Sequence, residues 1–205
     1  MPAIETSRLS IVPIVEEDIP SVAEFYLSVN LDKQFTLMAW GMDGPIDGTM
    51  EAVIDRIHSW RKTSEEFGFG WYVIRLRETG ELIGYVLIRL VTESLLERNR
   101  KMCPDADPAT FCARPREVEI GYGFAVPFWG KGYASEAIRK VIDYSFQNFD
   151  FPYISGAALP ANIGSQKVME KAGMTTITGG PSYYGTHDTY FEITREQWQD
   201  SGRSL

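Results

Sequence analysis

A chain of 205 residues, 44% of them hydrophobic, can bury one substantial core, so we expect a single domain over residues 1–205. The formal net charge of −8 argues against nucleic acid as a partner, and two cysteines, Cys103 and Cys112, are too few for a disulfide framework. No apolar run reaches the ~18 residues that span a bilayer, and the N-terminus is not signal-like, so we expect a cytoplasmic protein without membrane contact.

The N-terminal part of the chain alternates between strand and helix patterns. The predicted elements are, in order, a strand at 9–12, helices at 19–28 and around 50–60, and strands at 71–77 and 82–90. Gly80 lies in the short connection between the last two strands, which predicts a hairpin.

The C-terminal part continues the alternation. The predicted elements are a strand at 117–126, a long helix at 134–148, a strand at 153–159, a short helix at 163–172, and strands at 174–178 and 189–193. Gly173 is placed to end the short helix, and Thr194 with Gln197 resembles a capping box. This order predicts an α/β fold with a mixed, largely antiparallel sheet of about seven strands flanked by helices.

Residues 91–115 break this pattern. They combine charged residues, prolines and few apolar residues, so we expect an inserted loop rather than an ordered core element. Long loops in compact domains are often functional, and this one is a candidate for acceptor or subunit contact. The alternative is a solvated excursion without a role.

The segment 117–137, EVEIGYGFAVPFWGKGYASEA, is the most informative part of the chain. It predicts a strand, a glycine-interrupted turn and the start of a helix. Backbone N–H groups and the helix dipole make such a helix start suitable for a phosphate or pyrophosphate. Gly130 and Gly132 allow the backbone to bend sharply and to approach an anion closely.

Two familiar phosphate loops do not fit this segment. A Walker A loop needs Ser or Thr after its Gly-Lys, whereas Gly130-Lys131 is followed by Gly132. A dinucleotide fingerprint that starts at Gly121 would need Gly or Ala at Val126. We therefore exclude both.

The string WGKGYASEA at 129–137 resembles the acyl-CoA pyrophosphate loop of the GNAT superfamily of N-acetyltransferases, and in particular its ribosomal-protein alanine N-acetyltransferase branch. A second segment, NIGSQKVMEKAGM at 162–174, is similar to the Asn-x-x-Ser helix of that family. The segment TSRLSIVP at 6–13 resembles the first strand of the branch. The three motifs occur in the correct order, and the resemblance spans nearly the whole chain except about 91–115.

The resemblance implies that acetyl-CoA binds here as the acetyl donor. Its pantetheine arm would pair with the fourth strand at Phe124 and Val126, as an added β-strand does. Pro127 has no N–H, so the expected pyrophosphate contacts follow it, at Trp129, Gly130, Lys131, Gly132, Tyr133 and Ala134. For Trp129 the alternative is an ordinary core anchor, and for Lys131 a solvated lysine. Asn162 would bind the CoA arm, act as a helix N-cap, or do both.

Acetyl transfer to an amine requires a neutral amine, a stabilised oxyanion and protonation of the leaving thiolate. Members of the family often carry a carboxylate on this strand, so the resemblance makes Glu119 the candidate base. Glu117, on the same strand face, is its rival, and a solvated surface position is the alternative for both. Ser165 is the candidate donor to the thiolate, ahead of Tyr133. No metal is expected to take part.

The acceptor stays open between a protein N-terminus and a small amine. His187 lies in a predicted loop that borders the acceptor site in this family, whereas His58 lies in an amphipathic helix, either at its surface or packed. A non-catalytic acyl-CoA-binding module is the competing class. It would need neither Glu119 nor Ser165, so their presence favours an enzyme. Nothing in the sequence indicates the oligomeric state.

Overall fold

The computed structural model describes residues 2–41, 48–102, 116–177 and 189–203. Eight strands occur in these ranges: β1 (Ile4–Glu5), β2 (Leu9–Pro13), β3 (Trp71–Leu76), β4 (Leu82–Leu90), β5 (Val118–Phe124), β6 (Tyr153–Ala158), β7 (Thr175–Ile177) and β8 (Thr189–Thr194). The α-helices described are α1 (Ile19–Leu31), α2 (Lys33–Trp40), α3 (Met50–Phe67), α4 (Glu93–Met102), α5 (Tyr133–Asn148), α6 (Ile163–Lys171) and α7 (Arg195–Trp198).

The strands form one mixed sheet in the order β1-β2-β3-β4-β5-β6-β8-β7. The pairs from β1 to β4 are antiparallel, as are β6–β8 and β7–β8, whereas β5 runs parallel to β6 with Glu119 opposite Ser155. The predicted α/β class and largely antiparallel sheet are therefore confirmed. The extra strand relative to the prediction is β1, which has only two residues and so too short a pattern to detect.

One compact unit of the chain comprises Met1–Ile88 and Tyr122–Val141. Its core lies between α1, α3 and the strands that they cover, because both helices carry apolar residues at helical spacing. The buried members of this core are Ile14, Ile19, Val22, Ala23, Val53, Ile57 and Val73. The two predicted helices and the hairpin of β3 and β4 are confirmed in this unit.

Sequence analysis missed α2 in the same unit. Its N-cap is Asp32, whose Oδ1 accepts hydrogen bonds from the backbone N–H groups of Gln34 and Phe35 at 2.8 and 3.2 Å. Gly41 ends the helix in the left-handed region with φ of 68°. Both signals are legible in the sequence, but eight residues carry too few turns for a clear apolar period.

The other compact unit comprises Arg89–Gly121 and Ile142–Leu205. The predicted capping box of α7 is confirmed here: the Gln197 N–H donates to Thr194 Oγ1 at 3.2 Å, and the Thr194 N–H donates to Gln197 Oε1 at 2.9 Å. Gly173, which follows α6, has φ of 92°, as expected for a glycine that ends a helix.

The expectation of a loop without core contacts at 91–115 is wrong for its first part. Residues 93–102 form α4, and Leu95 and Leu96 are buried in a cluster with Val91 and Tyr190. The helix is short of apolar residues because a single stripe faces the cluster. The remainder of the predicted loop, 103–115, lies outside the described residues.

We expect Leu96→Ala to lower the free energy of unfolding by about 2–4 kcal/mol, because it leaves a cavity beside Tyr190. The exposed Glu97, in the same helix, provides the control: Glu97→Ala should change stability by less than about 0.5 kcal/mol. Urea denaturation measures both. Equal stability of the two variants would show that α4 does not pack against the core.

Candidate active site

The connection between β5 and α5 forms the tight turn predicted from the glycines. Gly130 and Gly132 adopt φ of 74° and 81°, in the left-handed region that favours glycine. A Cβ placed on Gly130 would meet no atom within 4 Å, so the outer side of the turn is open. The α5 helix begins directly after it, at Tyr133.

The backbone amides of this segment divide into two groups. Those of Phe128 and Trp129 donate to the carbonyls of Ala125 and Val126 at 2.9 and 3.1 Å, inside the turn that precedes Gly130. The first hydrogen bond of α5 runs from Glu136 N–H to the Gly132 carbonyl at 3.1 Å. A helix leaves its first N–H groups without intrahelical acceptors, so the amides suited to an anion follow Trp129.

Trp129 is half-buried and forms a hydrogen bond within the turn. Its indole N–H donates to the carbonyl of Phe124, the last residue of β5, at 2.7 Å. Phe124 itself is buried, whereas Val126 is half-buried. The indole therefore ties the turn to the end of the strand, and the Trp129 side chain and amide are both engaged within the protein.

Two cations lie beside the turn. The ammonium of the exposed Lys131 is 5.3 Å from the centre of the Phe128 ring, and the guanidinium carbon of Arg8 is 4.5 Å from the centre of the Tyr133 ring. Lys131 and Tyr133 were predicted at this turn from the sequence, but Arg8 was not. The N-terminal segment TSRLSIVP at 6–13, which contains Arg8, was its only signal.

Both candidate bases are buried, Glu119 on β5 and Glu117 directly before it, which rules out the solvated-face alternative. Glu117 is fully buried, and the Glu119 side chain is 3% exposed. Glu119 Oε2 accepts hydrogen bonds from Arg89 Nε and Nη2, each at 2.7 Å. The guanidinium compensates a carboxylate that burial would otherwise make costly. Arg89 could not be predicted as the partner of Glu119, because it lies on another strand, β4, 30 positions earlier in the chain.

Asn162 caps α6, as its alternative interpretation stated. Its side-chain Oδ1 accepts a hydrogen bond from the backbone N–H of Ser165 at 3.0 Å. Ser165 is half-buried in the first turn of the helix. The structure thus places Asn162 and Ser165 together at the start of α6.

The remaining residues of interest divide by whether the structure describes them. His58 is exposed on α3, the surface position of its two alternatives. His187, Cys103 and Cys112 lie outside the described residues.

Within the part of the chain that is described, no three His, Cys, Asp or Glu side chains are grouped as metal ligands would be. Across those same residues, no helix is both long and apolar enough to cross a membrane.

The family model of the GNAT acetyltransferase domain matches residues 8–175, which include the turn, α5 and α6. This chain belongs to the GNAT family. GNAT acetyltransferases take the acetyl group from acetyl-CoA, so the chain is an acetyl-CoA-dependent N-acetyltransferase.

Similar proteins span several acceptors. FsC-acetyl coenzyme A-N(2)-transacetylase from Aspergillus fumigatus is 26% identical over 96% of this chain and 78% of that protein. The solved ribosomal-protein-S5-alanine acetyltransferase from Vibrio fischeri is 17% identical, with a TM-score of 0.65 over 97% of this chain and 99% of that one. The aminoglycoside acetyltransferase AAC(6')-Ib, solved with coenzyme A, is 18% identical, with a TM-score of 0.63 over 95% and 99%. At these identities the two structures show a shared fold.

The turn between β5 and α5 has several features that suit it to a diphosphate. Two left-handed glycines keep its outer side free of Cβ atoms, and the N–H groups at the start of α5 face no intrahelical acceptor. Lys131 adds an exposed positive charge. Close backbone approach, amide donors and a cation are the features that pyrophosphate sites share.

Proposed function

We propose that this protein transfers the acetyl group of acetyl-CoA to a primary amine by direct attack of the amine on the thioester, in the cytoplasm. The observation that carries the proposal is the strand–turn–helix of β5 and α5, with glycines in the left-handed region at 130 and 132. Glycines in this conformation, before a helix start with an open outer face, let the backbone N–H groups approach an anion closely.

The residues that bind CoA in this proposal lie on β5, in the turn after it and at the start of α6. The amides and side chains of the turn contact the pyrophosphate, and the backbone at Phe124 and Val126 pairs with the pantetheine arm. Because the Trp129 amide and indole are engaged within the protein, we assign Trp129 to anchoring the turn and the anion contacts to Gly130, Lys131, Gly132, Tyr133 and Ala134. Asn162 contacts the CoA arm while its Oδ1 caps α6.

The proposal assigns the proton transfers to Glu119 and Ser165. Glu119 removes a proton from the attacking ammonium, directly or through a water. This role is supported by the position of the Glu119 carboxylate, which is buried on β5 and held in place by Arg89. Ser165 donates toward the departing sulfur, supported by its half-buried position in the first turn of α6. Glu117, also buried, is the rival for the first role.

A panel of amines tests the proposed reaction. Acetyl-CoA is incubated with the enzyme and with N-terminal peptides that begin with alanine or serine, polyamines or aminoglycosides, while free thiol is followed and the acceptor is weighed by mass spectrometry. We expect thiol release to depend on one acceptor class, which gains the mass of one acetyl group. N-terminally blocked peptides are the control. Thiol release that is equal with and without amine would contradict the proposal.

A further inference from the structure

Glu136, in the first turn of α5, accepts an unusual number of hydrogen bonds from the N-terminal segment. Its Oε1 accepts from Thr6 Oγ1 at 2.5 Å, from Ser7 Oγ at 3.2 Å and from the Arg8 N–H at 3.1 Å. Its Oε2 accepts from Arg8 Nε and Nη2, both at 2.6 Å. Two guanidinium nitrogens thus meet one carboxylate oxygen, and these charge-assisted hydrogen bonds fix the orientation of the guanidinium.

Arg8 also contacts the turn between β5 and α5 directly. Its remaining nitrogen, Nη1, donates to the Lys131 carbonyl at 3.0 Å, and its guanidinium lies over the Tyr133 ring. A Cβ placed on Gly132 would lie 3.4 Å from Arg8 Nη2. One guanidinium therefore contacts residues on both sides of Gly132, and Glu136 holds that guanidinium.

Attraction of an anion does not explain this arrangement. Partial burial raises the pKa of Glu136, but the hydrogen bonds from Thr6 and Arg8, and the charge of Arg8, lower it by more. The carboxylate is therefore ionised at neutral pH. It cancels the charge of Arg8 and repels a nearby phosphate. A carboxylate in the first turn also interacts favourably with the helix dipole. That interaction does not depend on the contacts with Arg8, so it does not explain them.

We propose that Arg8 and Glu136 are positioning residues, which hold the turn at 130–134 in its anion-binding conformation before acetyl-CoA binds. The inference rests on the proposed function of that turn. Binding to a preformed site avoids the cost of ordering a loop. We call the contacts of Arg8 with Glu136 and with the Lys131 carbonyl the clamp. Loss of the clamp should weaken acetyl-CoA binding without changing the chemical step, since neither Arg8 nor Glu136 takes part in that step.

The sign of the effect of Glu136→Gln separates positioning from electrostatics. Removing a carboxylate near a pyrophosphate should strengthen binding if charge alone matters. The clamp predicts the opposite: KM and Kd for acetyl-CoA rise about tenfold, because charge-assisted hydrogen bonds are lost, while kcat stays within about twofold. The control is Glu16→Gln, which removes an exposed carboxylate paired with Arg61 and should change neither constant. Tighter binding by Glu136→Gln would overturn the proposal.

Arg8 provides the second test. A lysine keeps the charge but cannot contact Glu136 and the Lys131 carbonyl with a planar fork. Arg8→Lys should therefore lose most of the affinity that Arg8→Ala loses. Full rescue by lysine would show that only the charge of Arg8 matters and would overturn its positioning role.

Amide hydrogen exchange of the protein without acetyl-CoA distinguishes a failure of the clamp from a failure of the proposed site. Glu136→Gln should speed exchange in a peptide that covers 129–136, with circular dichroism unchanged. Unchanged exchange would overturn the clamp. If exchange accelerates but Gly132→Asp still binds acetyl-CoA like the wild type, the clamp stands and the turn is not the anion site.

Discussion

Gly132→Asp is expected to lower acetyl-CoA affinity by at least about 100-fold, because a carboxylate ~4–5 Å from a phosphate repels it by a few kcal/mol at an effective dielectric constant near 20. The turn is exposed, and a Cβ at Gly132 contacts only the end of the Arg8 side chain. We therefore expect the fold to persist, as judged by circular dichroism. Calorimetric titration with acetyl-CoA measures the loss.

Gly132→Asn is the matched control for this variant. Asn and Asp have the same shape and both tolerate the left-handed φ of 81° found at Gly132. The strain and the contact with Arg8 are therefore shared, and only the charge differs. We expect Gly132→Asn to bind acetyl-CoA within about tenfold of the wild type. Equal affinities of the Asp and Asn variants for acetyl-CoA would show that the pyrophosphate does not bind at this turn.

Glu119→Gln is expected to lower kcat at least tenfold at neutral pH without loss of acetyl-CoA binding, because general base catalysis contributes about 100- to 10,000-fold. The loss should shrink at high pH, where the acceptor amine is already neutral. Steady-state kinetics from neutral to alkaline pH, at saturating acetyl-CoA, measure both effects.

Two controls are needed, because the buried Glu119 also forms a partly buried ion pair with Arg89. Thermal denaturation of Glu119→Gln separates a loss of catalysis from a loss of folded protein, since breaking buried pairs destabilises proteins. Glu117→Gln changes another buried carboxylate of the same strand region and should leave the pH dependence of kcat unaltered. Wild-type turnover in Glu119→Gln would transfer the base to Glu117 or to water alone.

The sequence predicted well the elements whose signal is local and repeated. Helices α1, α3 and α5 are 13, 18 and 16 residues long, enough for several turns of apolar period. The turn at Gly130 and Gly132 could also be predicted, because left-handed backbone positions are usually occupied by glycine.

What the sequence could not indicate is which distant residues meet. Leu95 and Leu96 alone do not mark a core helix, since their partner Tyr190 lies on a strand far along the chain. Arg8 and Glu136 are separated by 128 positions, so no local pattern joins them. The Arg89 partner of Glu119 was hidden for the same reason. Partners across strands and helices depend on topology rather than on sequence spacing.

A crystal structure of the protein with acetyl-CoA would test the central claim most directly. We predict that the pyrophosphate oxygens lie about 3 Å from backbone nitrogens between Gly130 and Ala134, with Arg8 still bound to Glu136 and to the Lys131 carbonyl. Acetyl-CoA bound with its pyrophosphate away from these amides would contradict the account.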